Sequence, residues 1–156
     1  MLVLCALQVL VMNHIHFMGY GTPLVYVALL LYVPVNANRV LTLLWAFLAG
    51  FLVDMLSGTP GLSSASLTLT AMVQPVLLKA QTPKDALEDM KPNYGTMGVW
   101  NHIRYFTVLL LVHHVAYHLL EAFSFFNIQD LLISGGISFG LSWLIIALLE
   151  LFRTKK

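Results

Sequence analysis

Apolar residues run through this chain in long blocks that no charge interrupts. Residues 1–38, 40–53, 55–78, 105–120 and 131–149 contain no Asp, Glu, Lys or Arg. Turn-forming clusters cut the blocks into segments. Asn13-His14-Ile15-His16 followed by Gly19-Tyr20-Gly21-Thr22-Pro23 is the first break, and Pro34 to Arg39 is the second. Ser57-Gly58-Thr59-Pro60-Gly61, the charged stretch from Lys79 to Arg104, and Ser124 to Asn127 with Asp130 complete the set. Thr22 and Thr59 can each cap a helix whose first turn accepts proline, which has no N–H to lose. The pattern predicts six helices, near 1–16, 22–34, 39–57, 62–80, 103–122 and 130–152.

About 18 or more consecutive apolar residues reach across a bilayer core of roughly 30 Å. The predicted fold class is therefore all-α: a polytopic membrane protein of about six transmembrane helices, one integral membrane domain over residues 1–156. The second helix is short and the first has a polar end, so five spans are the alternative. Thr-Pro recurs at 22–23 and 59–60, 37 residues apart. That is either the trace of a duplicated hairpin or two favourable helix starts.

Composition agrees with this picture. Charged residues make up 10% of the chain and apolar ones 59%, with mean hydropathy +0.83; an ordinary soluble domain carries about 25% charge. The net charge of +1 excludes nucleic-acid binding through a broad basic face, which needs concentrated Lys and Arg. One cysteine, Cys5, excludes a disulfide framework and a zinc ribbon. No Gly-rich nucleotide loop, GxSxG elbow or HExxH motif occurs. The N-terminus lacks the basic region and cleavage site of a secretory signal, and Cys5 follows Leu4 rather than the small residue that precedes a lipidated cysteine. No soluble domain is expected, because the longest polar stretch is Lys79 to Arg104.

The basic residues orient the bundle. With six helices, the breaks at 13–22, 55–63 and 121–130 share one side and hold no Lys or Arg. The other side holds all eight: Arg39, Lys79, Lys84, Lys91, Arg104, Arg153, Lys155 and Lys156. The positive-inside rule makes the loaded side cytoplasmic, with the C-terminus there; a five-helix chain changes only the side of the N-terminus. Trp100 and Tyr105 beside Arg104 suit either the inner aromatic belt or packing within the loop. The run Lys79 to Lys91 carries six charges in thirteen residues. It reads as a solvated connector and, being the only sizeable polar surface, as the place where a cytoplasmic partner would dock.

Ionisable residues at membrane depth are the functional candidates. Asp54 lies 15 residues beyond Arg39, about 22 Å up at 1.5 Å per residue. Counted from Arg104, His114 lies about 15 Å up, His118 about 21 Å and Glu121 about 25 Å. Asp54, His118 and Glu121 thus share a level near the outer face, within reach of His14 and His16. His114, His118 and Glu121 line one stripe of their helix. His113 lies about 100° round from His114 and is expected to face elsewhere, exposed or between helices. The cluster has three readings: hydrogen bonds that tie helices together, a pocket for a small ligand or a partner's polar group, or a metal or proton-relay site. Ala46-x3-Gly50 and Gly136-x3-Gly140 give two helices narrow sides for close packing, within the chain by preference and in a homodimer otherwise.

Several motifs stand in a telling order. They are Gln8-Val-Leu-Val-Met-Asn-His-Ile-His16, Gly19-Tyr-Gly-Thr-Pro-Leu24, Gly50-Phe-Leu-Val-Asp54, Gly58-Thr-Pro-Gly61, Glu88-Asp-Met-Lys-Pro92, and His113-His114 leading to Glu121-Ala-Phe-Ser124. Over nearly its whole length the chain resembles the MreD family of rod shape-determining proteins, in the form found in Bacteroidota. The resemblance implies a non-enzymatic inner-membrane subunit of the elongation machinery with no cofactor. Its partners would be MreC and, indirectly, MreB, RodA and penicillin-binding protein 2. It also implies a fold similar to the vitamin-binding S-components of energy-coupling-factor transporters, with a pocket near the level of Asp54, His118 and Glu121. A small-molecule-binding subunit of an importer is the alternative, although the first helix lacks the AxxxA stripe of S-components. An intramembrane hydrolase ranks third, having candidate bases but no recognisable nucleophile.

Overall fold

A computed structural model describes residues 24–34, 37–82, 92, 94–122 and 128–154. The helix expected at 1–16 and the Thr22-Pro23 cap, with His14 and His16, lie outside the described residues. Every regular element among those residues is helical. A 3-10 turn, Val25–Val27, runs into the short α1 (Ala28–Leu31). Then come α2 (Arg39–Ser57), α3 (Leu62–Gln81), the single turn α4 (Tyr94–Met97), α5 (Val99–Ala122) and α6 (Ile128–Thr154). Among the described residues three helices are long and apolar enough to cross a membrane: α2, α5, and residues 132–152 of α6.

The predicted bounds of α2 and α3 agree with the structure to within a residue. Asn38 starts α2 by accepting the Val40 N–H at 3.1 Å, as an N-cap should. The remaining bounds differ for local reasons. The segment expected at 22–34 is helical only to Leu31, because Pro34 pushes Val33 out of the helical region. Helix α5 begins four residues before the expected 103, directly after Gly98, so His102 belongs to a helix rather than to the polar connector. Helix α6 is longer at both ends than the 130–152 expected.

Side-chain distribution follows membrane rules. The buried residues of α2 are Ala46, Ala49, Gly50, Val53 and Asp54, one helical stripe of small or polar side chains. Its opposite face carries Leu44, Phe47, Phe51 and Met55, large, apolar and exposed, with Phe47 and Phe51 stacked. Lipid is as apolar as Leu, so helices gain by close packing of small residues rather than by hiding large ones.

Helix α3 is the polar centre of the bundle, packed between α2 and α5. Its hydroxyls return to carbonyls of their own helix: Ser66 to Ser63, Thr68 to Ser64 and Thr70 to Ser66, at 3.2, 2.6 and 2.7 Å. These bonds satisfy the hydroxyls without water. The segment Leu24–Leu31 is buried along nearly all of its length. Contacts fix the helix directions. Gln74 meets Tyr105 while Thr70 meets His113, so α3 and α5 are antiparallel. His102 meets Glu150 and His114 meets Ser142, so α5 and α6 are antiparallel too. Arg39, Lys79, Arg104 and Arg153 consequently stand at one end of the bundle, and Asp54 and Glu121 towards the other.

Candidate functional site

Among the described residues the polar interior divides into six small groups, and Asp54 anchors the first. It sits one turn after Gly50 on the same face of α2. Its Oδ1 accepts from the Ser63 N–H at 2.8 Å and the Thr59 hydroxyl at 3.1 Å, and its Oδ2 from the Ser64 N–H at 2.9 Å. Ser63 and Ser64 open α3, where N–H groups have no intrahelical partner. The preceding residue in the cap position, Gly61, offers no side chain. Asp54 therefore caps α3 from the neighbouring helix, with its negative charge at the positive end of the α3 dipole. Gly50 makes this approach possible. A Cβ there would lie 2.5 Å from Ser64 Cα and 2.6 Å from the Ser63 carbonyl oxygen. Gly58 (φ 68°) and Gly61 (φ 86°) turn the chain through left-handed backbone that other residues rarely adopt.

His113 forms the second group. It is fully buried between helices rather than exposed, with Nδ1 3.2 Å from Thr70 Oγ1 and Nε2 3.0 Å from the Tyr26 hydroxyl. Thr70 already donates to Ser66 O, so it accepts from His113 Nδ1–H, and Nε2 accepts from Tyr26. His114 points to the other side. Its Nδ1 donates to Leu110 O at 2.9 Å, and its Nε2 lies 3.2 Å from Ser142 Oγ. Ser142 also accepts the Leu24 N–H at 2.7 Å and contacts Ser138 O at 2.6 Å. A serine beside an imidazole has the pairing of a nucleophile and its base. Here the oxygen is wholly buried and surrounded by three partners, which leaves a substrate no approach.

His118 Nδ1 donates to Glu121 Oε2 at 2.8 Å. The ring lies over Gly135, where an added Cβ would stand 3.1 Å from His118 Cδ2. Expected as one cluster, the outer polar residues divide: among the described residues Asp54 bonds only within the α2–α3 hairpin, and His118 and Glu121 bond each other. Among the same residues no three His, Cys, Asp or Glu side chains come together as metal ligands. A groove of about 330 Å³ runs between α5 and α6 beside His114, His118 and Phe139. Close packing on α6 falls at Gly135; Gly136 and Gly140, expected to carry it, have open space where a Cβ would stand, so among the described residues they bring no helix near.

Two groups escaped the sequence reading. His102 Nε2 lies 3.4 Å from Glu150 Oε2, with both side chains almost wholly buried. Gln74 donates to the Tyr105 hydroxyl at 3.2 Å, and that hydroxyl reaches Leu30 O at 3.5 Å. Both lie near the basic end, where a charge next to Arg104 or Arg153 reads as part of a solvated tail. Register counted from the basic residues does not pair them: on antiparallel helices His102 lies two residues beyond Arg104 towards the basic end, and Glu150 lies three residues short of Arg153.

A scan against family models, a search of curated proteins and a search of solved structures each find nothing that matches this chain.

Proposed function

We propose that the chain is an MreD-type scaffold, a non-enzymatic subunit of the bacterial rod complex that binds MreC and links MreB filaments to wall synthesis by RodA and penicillin-binding protein 2. In this reading it is a multi-pass inner-membrane protein of six spans with an S-component-like fold and a cytoplasmic C-terminus. The observation that carries it is the ordered series of motifs from Gln8 to Ser124. The interior is consistent with a scaffold, because its polar side chains hold helices together. Asp54 caps α3, His113 ties Tyr26 to Thr70, and His114 meets the serine that receives the Leu24 N–H. The basic end defined by Arg39, Lys79, Arg104 and Arg153 supports the cytoplasmic placement.

The test is co-purification with MreC in mild detergent, together with depletion in a rod-shaped host. Loss of MreC from the complex and rounding of the cells are expected; normal width with an intact MreC–MreB assembly would refute the reading. The groove beside His114 and His118 favours, as a second reading, a small-molecule-binding subunit of an importer. Extraction of the purified protein should then release a stoichiometric metabolite, and its absence rejects that reading.

A further inference from the structure

The geometry points to a binding site for one anionic phospholipid at the basic end of the bundle, with an acyl chain in the groove between α1 and α2 and the phosphate beside Arg39. The groove encloses about 440 Å³ and is walled by Leu30, Val33, Trp45 and Ala49, with Asn38 and Thr42 at one end. Its polarity is graded. Both polar residues lie at the basic end, and everything deeper is apolar. A second cavity of about 120 Å³ shares Val33, Ala37 and Thr42 with the groove and is bordered by Arg39 and Gln74, so a headgroup and a chain would occupy adjoining spaces. Arg39 is exposed in the first turn of α2. Among the described residues neither Arg39 nor Lys79, which lies at the same end of α3, takes part in an ion pair.

Length and volume select the occupant. From Asn38 to Ala49 is eleven residues, about 16 Å of helix, close to the roughly 15 Å of hydrocarbon in one leaflet. A partner's spanning helix needs roughly twice that length. With a diameter of about 10 Å it would fill roughly 1,300 Å³ over the same stretch, three times what the groove holds. A lipid chain fits both limits. Charge selects the headgroup: an exposed guanidinium at a helix N-terminus, in no ion pair among the described residues, favours phosphate, and anionic lipids concentrate at basic pockets of the cytoplasmic leaflet. The site does not depend on the scaffold assignment.

Native mass spectrometry of the full chain in mild detergent, titrated with phosphatidylglycerol or phosphatidylcholine, tests this. A single phosphatidylglycerol adduct is expected, with about fivefold higher occupancy than phosphatidylcholine at equal concentration, the effect of one basic residue near an anionic headgroup. Arg39→Gln should bring the two lipids level. Thr42→Phe, which fills the groove and loses only a bond to its own helix, should remove the retained adduct. Circular dichroism identifies folded variants, and Lys79→Gln provides a second loss of charge. Random multiple adducts, no adduct, or a preference that survives both Arg39→Gln and Thr42→Phe would each overturn the proposal.

Discussion

Replacing Asp54 by alanine separates a structural carboxylate from a binding one. The substitution strands the Ser63 and Ser64 N–H groups, both buried, and frees the Thr59 hydroxyl. Hydrogen bonds to a charged acceptor contribute about 1.5–3 kcal/mol each, and losing a helix N-cap costs about 0.5–2 kcal/mol. Two stranded donors at the low end of the first range give a loss of about 3 kcal/mol. Asp54→Asn keeps one acceptor oxygen but turns an NH2 group towards a donor, so about half of that loss is expected. Thr59→Ala, which removes the longest of the three bonds, should cost less than about 1 kcal/mol. Unfolding of the purified chain by sodium dodecyl sulfate in mixed micelles, followed by circular dichroism, measures all three. A wild-type midpoint for Asp54→Ala would refute the capping argument, and loss of a partner at that unchanged midpoint would identify the carboxylate as a binding group.

Two further substitutions probe the same packing logic. Gly50→Ala sets a Cβ against α3 backbone atoms, which cannot rotate away, so about 1–3 kcal/mol should be lost; combined with Asp54→Ala, the total should fall short of the sum, and strict additivity would show that the two residues act separately. Glu150→Leu removes the carboxylate 3.4 Å from the buried His102 ring and should cost about 1–3 kcal/mol, whereas His102→Phe together with Glu150→Leu should regain most of it. A single variant as stable as the wild type in the same micelle titration would show that the pair contributes little.

Much of the fold is legible in the chain itself, and the reason is local. Turn-forming clusters around Pro34 to Asn38 and Ser57 to Gly61 are local signals, so the sequence predicts α2 and α3 almost to the residue. The cap expected of Thr59 is not formed, because α3 starts at Leu62 after Gly61 and the Thr59 hydroxyl donates to Asp54 instead. Boundary errors arose where a charge was mistaken for an interface. Arg104 drew the predicted start of α5 inward to 103, and the first turn with His102 was assigned to the loop. The site was less legible. That Asp54 lies deep in an apolar block is a property of sequence; that its partners are two backbone N–H groups ten or fewer positions ahead is set by how closely Gly50 lets two helices approach. Adjacent His113 and His114 differ by one step of helical rotation, and only the surrounding helices assign Tyr26 and Thr70 to one ring and Ser142 to the other.

The sequence by itself determined that this protein is helical and built for a bilayer, with Arg39, Lys79, Arg104 and Arg153 at one end. Each of those properties follows from the order of apolar, turn-forming and charged residues. Tertiary structure alone decided that the scarce polar groups work mostly in small separate sets, that His102 and Glu150 meet, and that among the described residues α6 is approached at Gly135. The physical reason is range. Hydropathy and capping act within a few residues, whereas a buried hydrogen bond requires two groups to meet within about 3 Å, across helices whose approach is set by every side chain between them.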